Sequence, residues 1–389
     1  MHWPHQRLER NPPSAFRPRH CPRQGCPQHR LEAPRRFRYT DAGSFTRKSD
    51  GRCFPRFRCL ACRSRFTQPA FAVSYYLKRR ELLGPIAAGL NAGSAHRQIA
   101  RSLDCAPSTV TRLAARLGRH ALLLQAQALE QLTDIDEPVV LDHFETFVVR
   151  QEEALALATP VGQHSWFIYA VDPAPHRRGG RRTRAQKRKL RDTPAPASRG
   201  SFRHSTLRVL ETLLSKVPAG RKLHLLTDEH PAYPGAVAAV SDPARVAHQV
   251  YPNPPRGPKG AVRSPAARLR DRKLRPVDKL HGLLRHTCAH HRRETIAFGR
   301  RTNAVVERLF LTLIWRNFVK KVTERRPDAT TAAMAVGLTD ARWSWERVLA
   351  QRLFPGRTVL PRGWAKVYRR EWITRSIGPN TLHQRRYAF

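Results

Sequence analysis

Three acidic residues stand where chemistry would need them, in a chain otherwise short of acids. Asp142 and Asp228 each close a short apolar run of strand character, Pro138-Val139-Val140-Leu141 before one and Leu223-His224-Leu225-Leu226-Thr227 before the other. Glu307 lies in a helix-like stretch, Thr302-Asn303-Ala304-Val305-Val306-Glu307-Arg308-Leu309-Phe310. With 72 Lys and Arg against 29 Asp and Glu, acids at strand ends point to a carboxylate cage for divalent metal, working on a polyanion that the rest of the chain attracts. Hydrolysis of a phosphodiester needs charge stabilisation at phosphorus, an activated water and a stabilised leaving oxygen. Two divalent ions about 4 Å apart meet all three needs when carboxylates hold them. The expectation is that Asp142 bridges both ions, Asp228 completes one site and Glu307 the other. Asn303, four residues earlier, shares the helix face of Glu307. Glu294, Asp278 and Glu145 compete for the third place, although Glu145 is three residues from Asp142 and so on the opposite face of a strand.

A second group of residues suits a different metal. The chain has seven cysteines, four of them in two close pairs, Cys21-Pro22-Arg23-Gln24-Gly25-Cys26 and Cys59-Leu60-Ala61-Cys62. Each pair can form a turn that aims two thiolates at one ion, and four sulfurs describe a structural Zn²⁺ site. Two such knuckles separated by hairpin length read as a zinc ribbon, with Phe45, Phe54, Phe57 and Phe66 as its small core. Cys53 is a spare thiol, expected to pack rather than ligate, and His20 or His29 is an alternative ligand. His281, His286, His290 and His291 with Cys288 also cluster, but their spacing lacks a second knuckle; they read as a basic helix near DNA.

The rest of the chain must position these groups and recruit their substrate. The net charge of +43 and a pI near 11.5 fit a nucleic-acid partner. Met1-His2-Trp3-Pro4-His5-Gln6-Arg7 is followed by no apolar signal core, and no uncharged apolar stretch approaches the ~20 residues of a bilayer span. A soluble, cytoplasmic protein is expected. Residues 1–18 are Pro- and Arg-rich and read as a disordered basic terminus, followed by the ribbon over 19–72. Over 73–132 the periodicity is helical. His96–Leu103 puts Ile99, Ala100 and Leu103 on one face; Asp104-Cys105-Ala106-Pro107 breaks it; Ser108–Leu117 restarts with Val110, Leu113, Ala114 and Leu117 inward. Helix, turn and helix with Thr109, Arg112 and Arg116 outward make a helix-turn-helix whose second helix could enter a major groove. Residues 119–136 read as a separate connecting helix.

From 133 to 325 strands alternate with helices. Strands are expected at Val139–Val149, Leu155–Val161 and Trp166–Val171, then a helix at Ser205–Val217, the strand before Asp228, a helix at Tyr233–Val240 and a strand at Arg245–Val250. That order suggests a ribonuclease-H-like α/β fold, a mixed sheet with helices on both faces. Two basic stretches interrupt it, at 176–200 and 252–291; Arg177–Arg191 alone carries nine Lys and Arg and no acid. They are solvated loops or arms on phosphates. The final stretch, 326–389, carries Trp343, Trp345, Trp364 and Trp372 and is either a small subdomain or a tail on the core.

These motifs, in this order, resemble bacterial insertion-sequence transposases of the DDE type with an N-terminal zinc ribbon and helix-turn-helix. The resemblance covers roughly residues 20 to 320. It rests on Cys21, Cys26, Cys59 and Cys62, the helix-turn-helix, Val139-Val140-Leu141-Asp142, Leu226-Thr227-Asp228-Glu229-His230-Pro231-Ala232-Tyr233 and Arg301–Arg308. It implies that Asp142, Asp228 and Glu307 bind Mg²⁺ or Mn²⁺, that a water nicks double-stranded DNA at the element's ends, and that the freed 3′-hydroxyl attacks target DNA. It also implies a homodimer or larger assembly acting on two ends, in a bacterial, nucleoid-associated setting. Arg316 and Lys320, after the glutamate, are the implied DNA contacts. The interval from Asp228 to Glu307 is longer than in compact members, which predicts an insertion around Pro252–His291. Two other classes compete: a non-enzymatic ribbon and helix-turn-helix regulator or inactive derivative, and a tyrosine recombinase suggested by His383-Gln384-Arg385-Arg386-Tyr387, which would leave the acid-bearing strands unexplained.

Overall fold

Phe57 and Phe66 draw the cysteine-rich segment around themselves. Three antiparallel strands, β1 (Tyr39–Thr46), β2 (Cys53–Cys59) and β3 (Arg65–Thr67), lie in the order β1-β2-β3. Phe37, Phe57, Phe66 and Ala70 are buried with Cys21, Cys26 and Cys59. Phe45 and Phe54, expected in this core, are outside it. They pair across β1 and β2, and Phe54, an odd number of residues from Phe57, points to the other face of the strand. Phe45 is 40% exposed there, and the Arg47 guanidinium covers Phe54.

The computed structural model describes residues 16–30, 36–194, 201–255, 257–258, 261–327 and 329–378. Most of the basic terminus at 1–18, and the stretch His383–Tyr387, lie outside the described residues. The chain divides into two compact units, one of residues up to Leu83 plus Glu346–Val359, the other of Gly84–Trp345 plus residues from Leu360 onward. The expected stretch 326–389 is therefore shared between units. Its first unit portion clasps the cysteine-rich sheet: Arg352 donates its backbone N–H to Phe71 O (2.8 Å) and a guanidinium N–H to Ala70 O (3.0 Å), and Arg357 donates to His29 O.

The second unit runs α1 (Leu83–Asn91), α2 (His96–Ser102), α3 (Pro107–Gln131), β4 (Val139–Val148), β5 (Arg150–Gly162), β6 (Asp172–Pro175), α4 (Arg184–Arg191), α5 (Ser201–Leu214), β7 (Leu223–Thr227), α6 (Ala232–Val237), β8 (Val246–Val250), α7 (Pro265–Lys273), α8 (Arg275–Thr287) and α9 (Thr302–Ile314). A π-helical turn at Trp315–Val319 continues α9, and the short helices α10 (Ala332–Ala335) and α12 (Trp364–Tyr368) follow, while α11 (Trp345–Leu349) falls in the first unit from Glu346 on. The five strands form one mixed sheet, β6-β5-β4-β7-β8, in which β4, β7 and β8 are parallel and β5 is antiparallel to both β4 and β6. Val139, Val140 and Leu141 are completely buried, as a central strand covered on both faces demands.

Two elements differ from the sequence reading. The strand expected at Trp166–Val171 forms one isolated bridge, Val161 to Ile168, and the third strand is Asp172–Pro175 instead. Side chains take over the ladder's bonds there. Asn317 Oδ1 accepts from Ile168 N (2.9 Å), Asn317 Nδ2 donates to Ile168 O (3.0 Å), and Gln125 Nε2 donates to Ile168 O and Tyr169 O (3.1 Å each). The second discrepancy is α3, which is one 25-residue helix rather than a short reader followed by a connector. Pro107 opens it at a position where a missing N–H costs nothing, and no residue between Leu117 and Gln131 stops it.

Gly118 is where α3 meets α9. A Cβ there would lie 2.5 Å from Glu307 O and 2.6 Å from Glu307 Cβ, so the backbones approach closely only because the side chain is missing. Among the described residues no helix is long and apolar enough to cross a membrane. Gly118→Ala should destabilise the second unit by about 1–3 kcal/mol through overpacking. Chemical denaturation followed by tryptophan fluorescence tests this; an unchanged midpoint would show that α3 and α9 can separate at no cost.

Candidate functional site

The four cysteines converge. Among the described residues they are the one group of three or more His, Cys, Asp or Glu whose ligand atoms all lie within 4.8 Å of one another. Cys21 Sγ is 3.7 Å from Cys62 Sγ, and Cys26 Sγ is 3.7 Å from Cys59 Sγ. Four sulfurs around Zn²⁺ stand about 3.8 Å apart along each edge of the tetrahedron, so the spacing fits that ion. Gln28 N donates to Cys26 Sγ at 3.4 Å. Burial opposes ionisation of both Cys21 and Cys62. It pushes the Cys21 thiol up, whereas hydrogen bonds from Ser64 overcome it at Cys62 and bring that thiol down to about 6. Ionising all four sulfurs together needs a cation. His20 and His29 are not ligands in this arrangement: His29 Nδ1 donates to Cys21 O at 2.7 Å, bracing the first knuckle, and both rings pack edge-on against Phe354. Cys53 is exposed, not packed.

The sheet brings Asp142 and Asp228 together. β4 and β7 pair in parallel with Val139 opposite Leu225 and Val140 opposite Leu226, and the same register puts Asp142 level with Asp228. Burial, then the charge of Asp228, pushes the Asp142 carboxyl up to about 7. The two oxygens of Asp142 are treated differently. Oδ1 accepts from His143 N (2.7 Å) and from the Tyr233 hydroxyl (3.2 Å), while Oδ2 faces His281 Nδ1 at 3.6 Å. Asp228 Oδ1 accepts from His230 N and Oδ2 from Asn253 Nδ2, each at 3.0 Å.

A third acid, on α8, acts on Asp142 from further off. Asp278 acts on Asp142 as a like charge, and three residues on, His281 lies against Asp142 from the same helix face. Asp278 is 40% exposed and is paired to Arg270. The competitors Glu145 and Glu294 are not among the main causes of Asp142's shift, and Glu145 is 68% exposed on the other face of β4, as its spacing predicts.

Glu307, the expected third acid, is elsewhere. It is 1% exposed, with Arg370 Nε at 2.9 Å and Arg119 Nη1 at 3.8 Å. Burial pushes its carboxyl up and those two guanidiniums pull it back; Asp142 and Asp228 are not among the groups acting on it. Asn303 does share its helix, but its amide is spent on the backbone of Trp372. Glu307 neutralises buried arginines where α3 and α9 cross. Sequence spacing cannot distinguish that duty from metal binding, since both call for a glutamate on an apolar helix.

The expected DNA-contacting residues also separate. Arg112 is exposed and Thr109 half-buried, but Arg116 is buried, because α3 continues into the core. Arg97 and Arg101 on α2 are exposed beside Arg112's end of α3 and were not singled out by the sequence reading. Arg316 is buried with its guanidinium near the Trp166 ring, and Lys320 pairs with Glu324, so neither is presented as an open phosphate contact. His290 and His291 are buried, and burial pushes His291 down to about 3, so they are neutral core residues rather than part of a basic surface. His286 alone of that group is exposed. Compared as a whole with protein-family models and with curated proteins, the chain matches none.

Purified chain should contain one Zn²⁺, and Cys59→Ser with Cys62→Ser should abolish it together with the ribbon's fold. Elemental analysis decides; zinc retained without these thiols would locate it elsewhere. Asp142 generates a pH prediction. Its folded-state pKa of about 7 lies above the ordinary carboxylate value, so the folded state holds this proton more tightly than the unfolded chain, and stability is lost as pH rises through that window. Without added divalent ions, Asp142→Asn should therefore raise the melting temperature at about pH 8 and hardly change it at about pH 4. Equal effects at both would mean that Asp142 carries no such burden.

Proposed function

We propose that the chain is a metal-dependent DNA transposase that nicks and joins phosphodiesters at a site built on Asp142 and Asp228. The observation that carries the reading is the register of β4 and β7, which sets two carboxylates side by side at the sheet's centre. The strand order β6-β5-β4-β7-β8, with β5 alone reversed between β4 and β6, agrees with a ribonuclease-H-like catalytic core. The cysteine cluster agrees with the ribbon of such enzymes, and the charge of +43 with a DNA substrate.

Carboxylate oxygens are the donors that hard divalent ions prefer. One oxygen of Asp142 is fixed by His143 N and Tyr233, which leaves Oδ2 directed away from those donors. Asp228 is oriented by His230 N and Asn253. Divalent ions held there would supply Lewis-acid stabilisation of the phosphorane and a more acidic water. In this reading the third acid is Asp278 on α8, in place of Glu307. Arg270, its present partner, would turn to phosphate when Asp278 turns to metal. The basic helix α4, anchored by Leu190 alone and capped by Thr183, offers its remaining Lys and Arg to the DNA backbone, and Arg97, Arg101 and Arg112 are the candidates for reading element ends.

The test is cleavage of DNA carrying the sequences that flank the gene. Nicking should require Mg²⁺ or Mn²⁺, and Ca²⁺ should support binding with little cleavage. Asp142→Ala, Asp228→Ala and Asp278→Ala should abolish nicking while retaining DNA affinity; Glu145→Ala should cut like the parent. Glu307→Gln should instead lose stability, by about 3–5 kcal/mol for an unbalanced buried pair, and its folded fraction should still cut. Binding without any cleavage, unaffected by the three aspartates, would favour a non-enzymatic regulator.

A further inference from the structure

Thr159 sits opposite Asp142 on β5, and its hydroxyl has two neighbours. It donates to the Asp142 carbonyl oxygen at 3.0 Å, and His281 Nε2 lies 2.9 Å away. A hydroxyl has one proton to donate. Since the carbonyl can only accept, the contact with His281 is one that the histidine donates. His281 therefore carries its proton on Nε2, and the lone pair of Nδ1 faces Asp142 Oδ2 across 3.6 Å.

Once Asp142 has lost its proton, two lone pairs in that position repel. Among the described residues no hydrogen bond reaches Asp142 Oδ2, because the donors His143 N and Tyr233 both go to Oδ1. A cation between Nδ1 and Oδ2 turns the repulsion into coordination. Two donors about 2.1 Å from one ion stand roughly 3 to 4 Å apart, and 3.6 Å falls in that interval. The ring is also prepared as metal-binding imidazoles are, with its other nitrogen committed to an acceptor. Phe144 meets it edge-on at 5.3 Å and fixes its plane.

We propose that His281 Nδ1 is a metal ligand beside Asp142, so that the centre is a mixed carboxylate–imidazole site that selects a first-row transition ion over Mg²⁺. The inference rests on reading Asp142 and Asp228 as metal-binding and names the ion they share. A nitrogen donor strengthens binding along the transition series and adds little for Mg²⁺, which prefers oxygen.

Mn²⁺ is the probe, bound to the zinc-loaded full chain without DNA. Its electron spin echo should show modulation from one directly bonded imidazole nitrogen, absent in His281→Ala. His281→Ala should weaken Mn²⁺ binding by about tenfold or more and Mg²⁺ binding by less than about threefold. His281→Gln, closer in size, carries the same comparison should the alanine variant fail to fold. No nitrogen modulation in the parent, or modulation that survives both substitutions, overturns the histidine ligand; if Asp142→Asn then still abolishes Mn²⁺ binding, the acid pair stands without it. Mn²⁺ binding indifferent to Asp142 sinks the acid-pair reading, and the histidine with it.

Discussion

The second unit is organised by a repulsion that its sheet does not allow to relax. Asp142 and Asp228 come level because β4 and β7 run parallel in one register. Neither strand can slip by one residue without turning its buried apolar side chains outward. Val139, Val140 and Leu141 on one strand and Leu223, Leu225 and Leu226 on the other are 3% exposed or less, so that penalty is large. Hydrophobic burial thus holds two like charges where electrostatics alone would separate them. Burial then raises Asp142 further, and the surrounding donors, His143 N, Tyr233 and Asn253, stabilise the carboxylates without neutralising them. What is left over is an appetite for positive charge.

The same scarcity of acids shapes the rest of the core. A chain this basic cannot keep every arginine in water, and several are buried: Arg116, Arg119, Arg308, Arg316 and Arg370. Glu307 is the counter-charge for two of them, and Asp172 holds Arg208 through two hydrogen bonds. Elsewhere carbonyls and neutral imidazoles substitute for acids; Arg308 reaches His96 Nε2 and Leu90 O. Acids in this chain therefore have two occupations, and exposure separates them. Glu307 and Asp172 are closed off beneath guanidiniums, whereas Asp142 is 26% exposed beside an unclaimed oxygen.

That division explains what could be read from residue order alone. The strands, the two knuckles and the first two acids are local patterns: short apolar runs announce the strands, and paired cysteines the knuckles. Asp142 and Asp228 were legible because each follows a short apolar run, although Asp142 lies inside β4 and only Asp228 directly after its strand. Asp278 stood as one competitor among several, because α8 is amphipathic in the ordinary way and nothing local says which of its faces meets the sheet; its place as third acid is part of the proposed reading. His281 was misjudged as part of a basic surface for a similar reason: its neutrality comes from burial, a property of the fold rather than of its neighbours in sequence. Arg116 failed the same way once α3 ran on into the core. Trp166–Val171 was taken for a strand because it is apolar, and its true partners, Gln125 and Asn317, lie far along the chain.

The ribbon's composition has a consequence for the order in which the protein can mature. Its three strands and four cysteines leave the ribosome early, but the segment that supplies Arg352, Phe354 and Arg357 is translated only after more than two hundred further residues. Until then His20 and His29 lack the aromatic lid that Phe354 provides, and the carbonyls of Ala70 and His29 wait for their arginines. The nascent domain then rests on its three strands, the Phe37, Phe57 and Phe66 core and its four clustered sulfurs, without the clasp. A prematurely terminated chain would carry the cysteine-rich sheet without the segment that closes over it.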